Sequence, residues 1–229
     1  MNSARIRLAE GKGGISKRLG RDLNEEYDIV LASASPRRRQ LLEEAGIHFR
    51  VHAVDVDESL SPELVAEPVE AVKRLAERKA RAAVEELLVP DYEGTLVVVG
   101  SDTMVVLRGE IFGKPQDAAD ARRMLRSLSG CGHDVNTAVS VWVVYAPADQ
   151  DISLFYRTFV DTTYVYFKTL TDDQIADYIA TGDPFDKAGS YGIQSGAAPF
   201  IDHIEGSLDT VIGFPATRLI REFPDIFAP

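Results

Sequence analysis

Between Leu96 and Leu107 the chain is almost wholly apolar, broken only by Gly100-Ser101-Asp102. A run without polar alternation predicts a strand buried on both faces rather than one lying on a solvated sheet. A strand of that kind needs strand neighbours and covering helices, and the rest of the chain offers both. Tyr27-Asp28-Ile29-Val30-Leu31-Ala32 predicts a short strand, and Ser35 with Pro36 caps a helix that runs through Leu41 and Leu42 to Gly46. Residues 47–54 predict a second strand and Pro68 to Leu88 a long helix. Arg108-Gly109 predicts a tight turn into Glu110-Ile111-Phe112, and Asp117 to Leu128 a helix that stops at Gly130. Val135 to Tyr145 and Ile152 to Phe167 read as long strands joined by a hairpin at Pro147-Ala148-Asp149. Thr171 caps a further helix with Asp172 and Asp173 in its first turn. A Gly-rich loop, a short hairpin around Glu205-Gly206 and a helix opened by Pro215 complete the chain. The alternation with one antiparallel stretch predicts an α/β fold, mixed α+β, around a mixed sheet.

The length, 229 residues, suffices for one core with room for two lobes, and we expect a single catalytic domain over 27–229. Residues 1–26 carry Arg5, Arg7, Lys12, Lys17, Arg18 and Arg21 among glycines and few large apolar groups, and are expected to form a flexible basic arm. The GKGG stretch there lacks the spacing of a phosphate-binding loop. No apolar run approaches membrane-spanning length and no secretory signal opens the chain. The single cysteine, Cys131, permits no intrachain disulfide, which fits a reducing, cytoplasmic setting. The formal net charge of −11 argues against a nucleic-acid partner, so any anion must be held by a local cluster of cations.

Three places carry the chemistry. Ser33-Ala34-Ser35-Pro36-Arg37-Arg38-Arg39 lies between a strand and a helix, where free N–H groups suit an anion; arginines oppose the helix dipole there unless an anion offsets them. A capped surface helix with solvated arginines is the plainer reading of the same segment. Lys79 falls inside the apolar stripe of Val72, Leu75, Ala76 and Ala83, while Lys73, Arg74, Arg78 and Arg81 fall outside it as solvated charges. Asp102 interrupts a core strand, so it must pair with a cation, bind a metal or face a crevice, unless the strand simply ends at Gly100. Gly100 permits close approach of a ligand or another chain. Weaker features are Asp55, Asp57 and Glu58, which offer oxygens to a hard cation, Lys114 after an apolar strand, and Gln194 in the loop Gly189–Pro199, whose amide can read a base edge. Cations (Arg37, Arg38, Lys79, Lys114) and acids (Glu58, Asp102) at element ends suit phosphoryl chemistry.

LASASPRRRQLL (31–42), RLAERKARA (74–82), VGSDTMVVL (99–107), GKPQDAADARRML (113–125), LSGCGHDVNTAV (128–139) and the segment 186–215 together resemble, in order, the motifs of the Maf nucleotide pyrophosphatases. The resemblance implies an elongated mixed twisted sheet flanked by helices, of the Maf/ITPase type, with a central cleft between two lobes. It also implies a divalent metal, Mg²⁺ or Mn²⁺, and a homodimer. By the same resemblance, Ser33, Arg37 and Arg38 bind the triphosphate, and Glu58, Lys79, Asp102 and Lys114 form the catalytic cluster. Glu58 and Asp102 would be its metal ligands, Gln194 contacts the base, and Asp102 activates water for attack at the α-phosphorus. SPRR, Asp102-Thr103 and KAGSYGIQ resemble the branch acting on dTTP, UTP and modified pyrimidine nucleotides, with Ser195 where that branch usually shows glycine. The alternatives are the same reaction on another base, a non-catalytic nucleotide-binding or septum-regulating protein, and a nucleic-acid protein using the basic arm.

Overall fold

A computed structural model of the chain describes residues 27–148 and 151–228, and the backbone of residues 7–10. The expected strand is present as β4 (Gly94–Leu107), and it runs unbroken through Gly100-Ser101-Asp102. Its odd-numbered residues turn one way: Val97 and Val99 join Leu31, Leu42, Val141, Phe214 and Leu219 in one apolar cluster, and Val105 and Leu107 join Phe112, Leu125 and Val165 in a second. Its even-numbered residues turn the other way, Leu96 and Val98 packing with Trp142 and Ala80, and Met104 and Val106 with Val72 and Leu75. One strand therefore serves four apolar clusters, two on each face, which is why its sequence on either side of Gly100-Ser101-Asp102 shows no polar alternation.

Around it the sheet is mixed. β1 (Arg7–Glu10), β7 (Ser153–Phe167), β6 (Gly132–Ala146), β4, β2 (Tyr27–Leu31) and β3 (Arg50–Val51) lie side by side in that order, with β5 (Glu110–Phe112) paired to β4 and β8 (Ile201–Glu205) to β7. The β1–β7, β2–β4 and β2–β3 pairs are parallel and the others antiparallel. Helix α1 (Pro36–Glu44) follows β2, and α2 (Pro62–Val65) precedes α3 (Pro68–Leu87), which covers the even face of β4. α4 (Ala118–Leu128), α5 (Asp172–Ala180), α6 (Leu208–Ile212), α7 (Ala216–Glu222) and α8 (Pro224–Phe227) complete the fold. Asp117 caps α4, and Thr171 with Gln174 forms a capping box at α5, so both helices start where an acceptor side chain meets unpaired N–H groups. Among the described residues no helix is long and apolar enough to cross a membrane.

Four expectations change. The strand expected over 47–54 is only two residues long, because β2 offers pairing partners solely at Val30 and Leu31 before the chain turns toward α1. No hairpin forms at Glu205-Gly206; β8 pairs back onto β7, and the chain continues into α6. Within the segment expected as an arm, Arg7–Glu10 joins the sheet as β1 in register with Ser153–Tyr156, its backbone completing the hydrogen-bonding edge of β7. The rest of that segment, including GKGG, and Asp149 of the 147–149 turn lie outside the described residues. Finally, it is α3 that approaches Gly100: a Cβ there would lie 2.4 Å from the Ala76 carbonyl oxygen and 2.7 Å from the Ala80 nitrogen.

Candidate active site

β2 pairs with β4 as far as Val99, and β5 takes up the same side of β4 only from Val105. Between these points, residues 100–104 of β4 have no strand partner on that side among the described residues. The cleft opens at this gap, as a cavity of about 830 Å³. The segment between β2 and α1 forms one wall, the end of β5 another and the loop 183–195 a third. All eight residues expected at the site line it: Ser33, Arg37, Arg38, Glu58, Lys79, Asp102, Lys114 and Gln194.

At its centre the Lys79 ammonium lies 2.6 Å from Asp102 Oδ1 and 2.6 Å from Glu58 Oε1. Lys79 is carried in by the buried stripe of α3, which holds Ala71, Val72, Leu75, Ala76, Ala80, Ala83 and Val84. Its side chain is 13% exposed and that of Asp102 12%, so each is the other's main partner away from water. Burial works against ionising Glu58, but Lys79, with Lys114 and Arg38 behind it, outweighs this and holds the carboxyl below its usual range. Asp102 thus sits mid-strand, paired with a cation and facing the gap, and the strand does not end at Gly100.

The second group comes from the start of α1. Ser35 Oγ accepts the Arg38 amide at 3.4 Å, with Pro36 opening the helix. Arg38 then reaches across the gap, donating from Nε to the Gly213 carbonyl (3.0 Å), from Nη1 to Ser33 Oγ (3.3 Å) and from Nη2 to Thr103 Oγ1 (3.3 Å). Burial draws its pKa down and Asp102 opposes this; a guanidinium stays charged regardless. Arg37 crosses to the far wall, where Nη1 meets Asp186 Oδ2 at 3.2 Å. Arg39 turns outward to Glu43, 2.7 Å away, and takes no part. Lys114 follows β5 as an exposed ammonium at the cavity wall.

Of the acids expected near a cation, Glu58 alone turns into the cleft. The Asp57 carboxylate accepts Ser59 N (2.9 Å) and Ser59 Oγ (2.8 Å), and Asp55 does not line the cavity. No group of three or more His, Cys, Asp or Glu suited to a metal occurs among the described residues. Two hard carboxylates facing each other across one ammonium nevertheless fit Mg²⁺, which proteins commonly hold through one or two carboxylates plus substrate phosphates. Lys79 contacts one oxygen of each, and each carboxylate has a second.

A model of the Maf-like protein family matches residues 28–225. A relative from Citrifermentans bemidjiense named dTTP/UTP pyrophosphatase is 50% identical over 84% of this chain and 92% of its own length. Relatives of the same name from Chromobacterium violaceum (46% identical, 85% and 94% covered) and Geobacillus sp. (44%, 85% and 95%) align similarly. The chain belongs to the Maf family. Similarity to solved structures is weaker: the Staphylococcus aureus Ham1 protein aligns over 86% of this chain and 100% of its own at 15% identity with a TM-score of 0.37, too low to inform the site.

Several residues of this Maf site escape a reading of the sequence. Arg78, expected as a solvated charge, donates to the carbonyls of Asp57 (2.9 Å) and Ser59 (2.8 Å) and so holds the turn that carries Glu58. Asp183, Asp186 and Lys187 form the third wall: Lys187 Nζ lies 2.7 Å from the Asp183 carbonyl and 2.5 Å from Asp186 Oδ1. Acidic residues beside a Gly-rich loop look solvated in sequence; the one cue was the lysine next to them. Tyr191 lines the cavity and is backed by buried His133, whose Nε2 lies 2.8 Å from the Tyr191 hydroxyl. Burial pushes His133 down to about 4 and the Tyr191 phenol upward.

Proposed function

We propose that the chain hydrolyses nucleoside triphosphates, dTTP and UTP foremost, to the monophosphate and pyrophosphate. The observation that carries the reading is the Glu58–Lys79–Asp102 cluster at an unpaired stretch of β4, facing Arg37, Arg38 and Lys114 across one cavity. The relatives' shared name, at 44–50% identity, supports the base preference.

In this reading Ser33, Arg37 and Arg38 hold the phosphates at the start of α1, the guanidiniums by paired hydrogen bonds and Lys114 as a point charge. Glu58 and Asp102 hold a divalent metal, Mg²⁺ or Mn²⁺, which when bound supplies neutralising charge to the phosphate oxygens. Asp102 orients a water and takes its proton as the oxygen attacks the α-phosphorus. The bond from that phosphorus to the bridging oxygen breaks, and pyrophosphate leaves with the electron pair. Lys79 holds the Asp102 carboxylate in place by their 2.6 Å ion pair and offsets charge building on the leaving group. Gln194 presents its amide to the base edge. The family resemblance supports a homodimer, which the solution mass of the purified chain would test.

Hydrolysis of UTP in ¹⁸O-water tests the reaction. Label in UMP and none in pyrophosphate supports attack at the α-phosphorus; UDP and labelled phosphate as products would contradict it.

A further inference from the structure

The loop that carries Gln194 has its own internal lock. Ser195 Oγ lies 2.6 Å from Asp183 Oδ2 and 3.1 Å from the Gly192 carbonyl, and its single proton goes to the nearer, charged acceptor. The same carboxylate oxygen accepts the Tyr178 hydroxyl at 2.5 Å, and that hydroxyl in turn accepts the Gly192 amide at 3.1 Å. Lys187 closes the other side, with Nζ 3.0 Å from Asp183 Oδ1. Asp183, on the wall of the cleft, is thus a hub to which both ends of the turn 192–195 are tied. The Ser195 and Lys187 side chains close over Gly192: a Cβ there would stand 2.4 Å from Ser195 Oγ and 2.6 Å from Lys187 Cε. Gln194 lies inside the tied segment, lines the cavity, and its side-chain amide has no partner among the described residues.

From this we infer that Ser195 is a positioning residue for base recognition, its bond to Asp183 fixing the direction in which Gln194 presents its amide. The inference rests on the proposed reading of the cleft as a dTTP and UTP site. Ser195 also lines the cavity, but its hydroxyl proton is committed to Asp183, and it shares no hydrogen bond with Glu58, Lys79 or Asp102. Loss of the hydroxyl should therefore weaken substrate binding and leave the chemical step intact.

The test is steady-state kinetics of the full chain with dTTP and UTP plus Mg²⁺, for wild type, Ser195→Ala, Ser195→Thr, Gln194→Ala and the double variant Ser195→Ala/Gln194→Ala. Losing a hydrogen bond to a charged acceptor should raise KM about tenfold in Ser195→Ala, with kcat within about twofold of wild type. Ser195→Thr, which keeps a hydroxyl, should restore most of the KM. In the Gln194→Ala background the serine change should add little, because the group it orients is gone. An unchanged KM in Ser195→Ala would overturn the inference. So would a KM increase that persists undiminished in the Gln194→Ala background, because the serine would then act through something other than that amide. If wild type itself releases no pyrophosphate from either nucleotide, the proposed function fails and takes this inference with it; an active wild type with an indifferent Ser195→Ala sinks the inference alone.

Discussion

Lys79 is the residue on which the site turns. It is a cation set among alanines and leucines on α3, stabilised there by two carboxylates, and it gives Asp102 an ion-pair partner inside a core strand. Breaking a fully buried pair costs roughly 3–5 kcal/mol; Glu58 is half-exposed, so screening reduces this, and Lys79→Met should lower stability by about 1–3 kcal/mol at pH 7. The sign with pH is fixed by Glu58. Its folded pKa is depressed, so the stability it contributes is present above its usual carboxyl range and is lost as pH falls through the folded value. The gap between wild type and Lys79→Met should therefore narrow as denaturant melts are taken from pH 7 to pH 4, and a gap that widens would contradict the pairing. Lys79 and Asp102 were legible in the sequence because each is a charge where the surrounding pattern demands apolar groups. Arg78 was not, because its partners are backbone carbonyls about twenty residues away, which no side-chain pattern records. Asp183 and Asp186 were not, because an acid in a turn is indistinguishable from a solvated one until its partners are placed.

Among the elements, β4 and α3 decide the geometry together. Gly100 lets the two backbones touch, and a Cβ there would clash first with main-chain atoms of α3 that have no rotamer to escape through. Gly100→Ala should therefore cost about 1–3 kcal/mol of stability by overpacking. It should also lower kcat, because α3 moves with Lys79 on it; thermal melts and steady-state rates measured together would check both, and a variant of wild-type stability and rate would show that the contact is slack. The pairing of β6 with the loop at Tyr191 gives a pH prediction. His133 on β6 is buried with a pKa near 4, against about 6.5 when unfolded, so the unfolded chain binds the proton first. The stability His133 confers is complete above about pH 6.5 and declines toward pH 4, by roughly 3 kcal/mol. His133→Phe should flatten that part of the stability curve in denaturant melts from pH 7 to pH 4; an unaltered slope would mean that this histidine is not held neutral. The long strands and capped helices were legible because apolar runs and cap residues act locally. β3 is shorter than its sequence suggests because its length is set by where β2 ends, and β1 leaves no side-chain pattern because its pairing with β7 rests on main-chain bonds.

At the scale of the molecule, a chain of net charge −11 concentrates Arg37, Arg38, Lys79 and Lys114 on one cavity. The gap in the sheet beside residues 100–104 makes that concentration possible, since it exposes β4 to side chains from three walls at once. The order of motifs in the sequence already implied one site, but not that the strand carrying Asp102 would pass through it unbroken with a partner missing on one side. In the proposed reaction, Asp102 at this gap drives release of pyrophosphate. The direct test is pyrophosphate release from dTTP and UTP with Mg²⁺ by wild type and by Asp102→Asn, which keeps the shape of the side chain and removes its charge. Wild type should release pyrophosphate and a correctly folded variant should lose about a hundredfold or more in kcat; an Asp102→Asn protein that turns over at the wild-type rate would contradict the role given to Asp102.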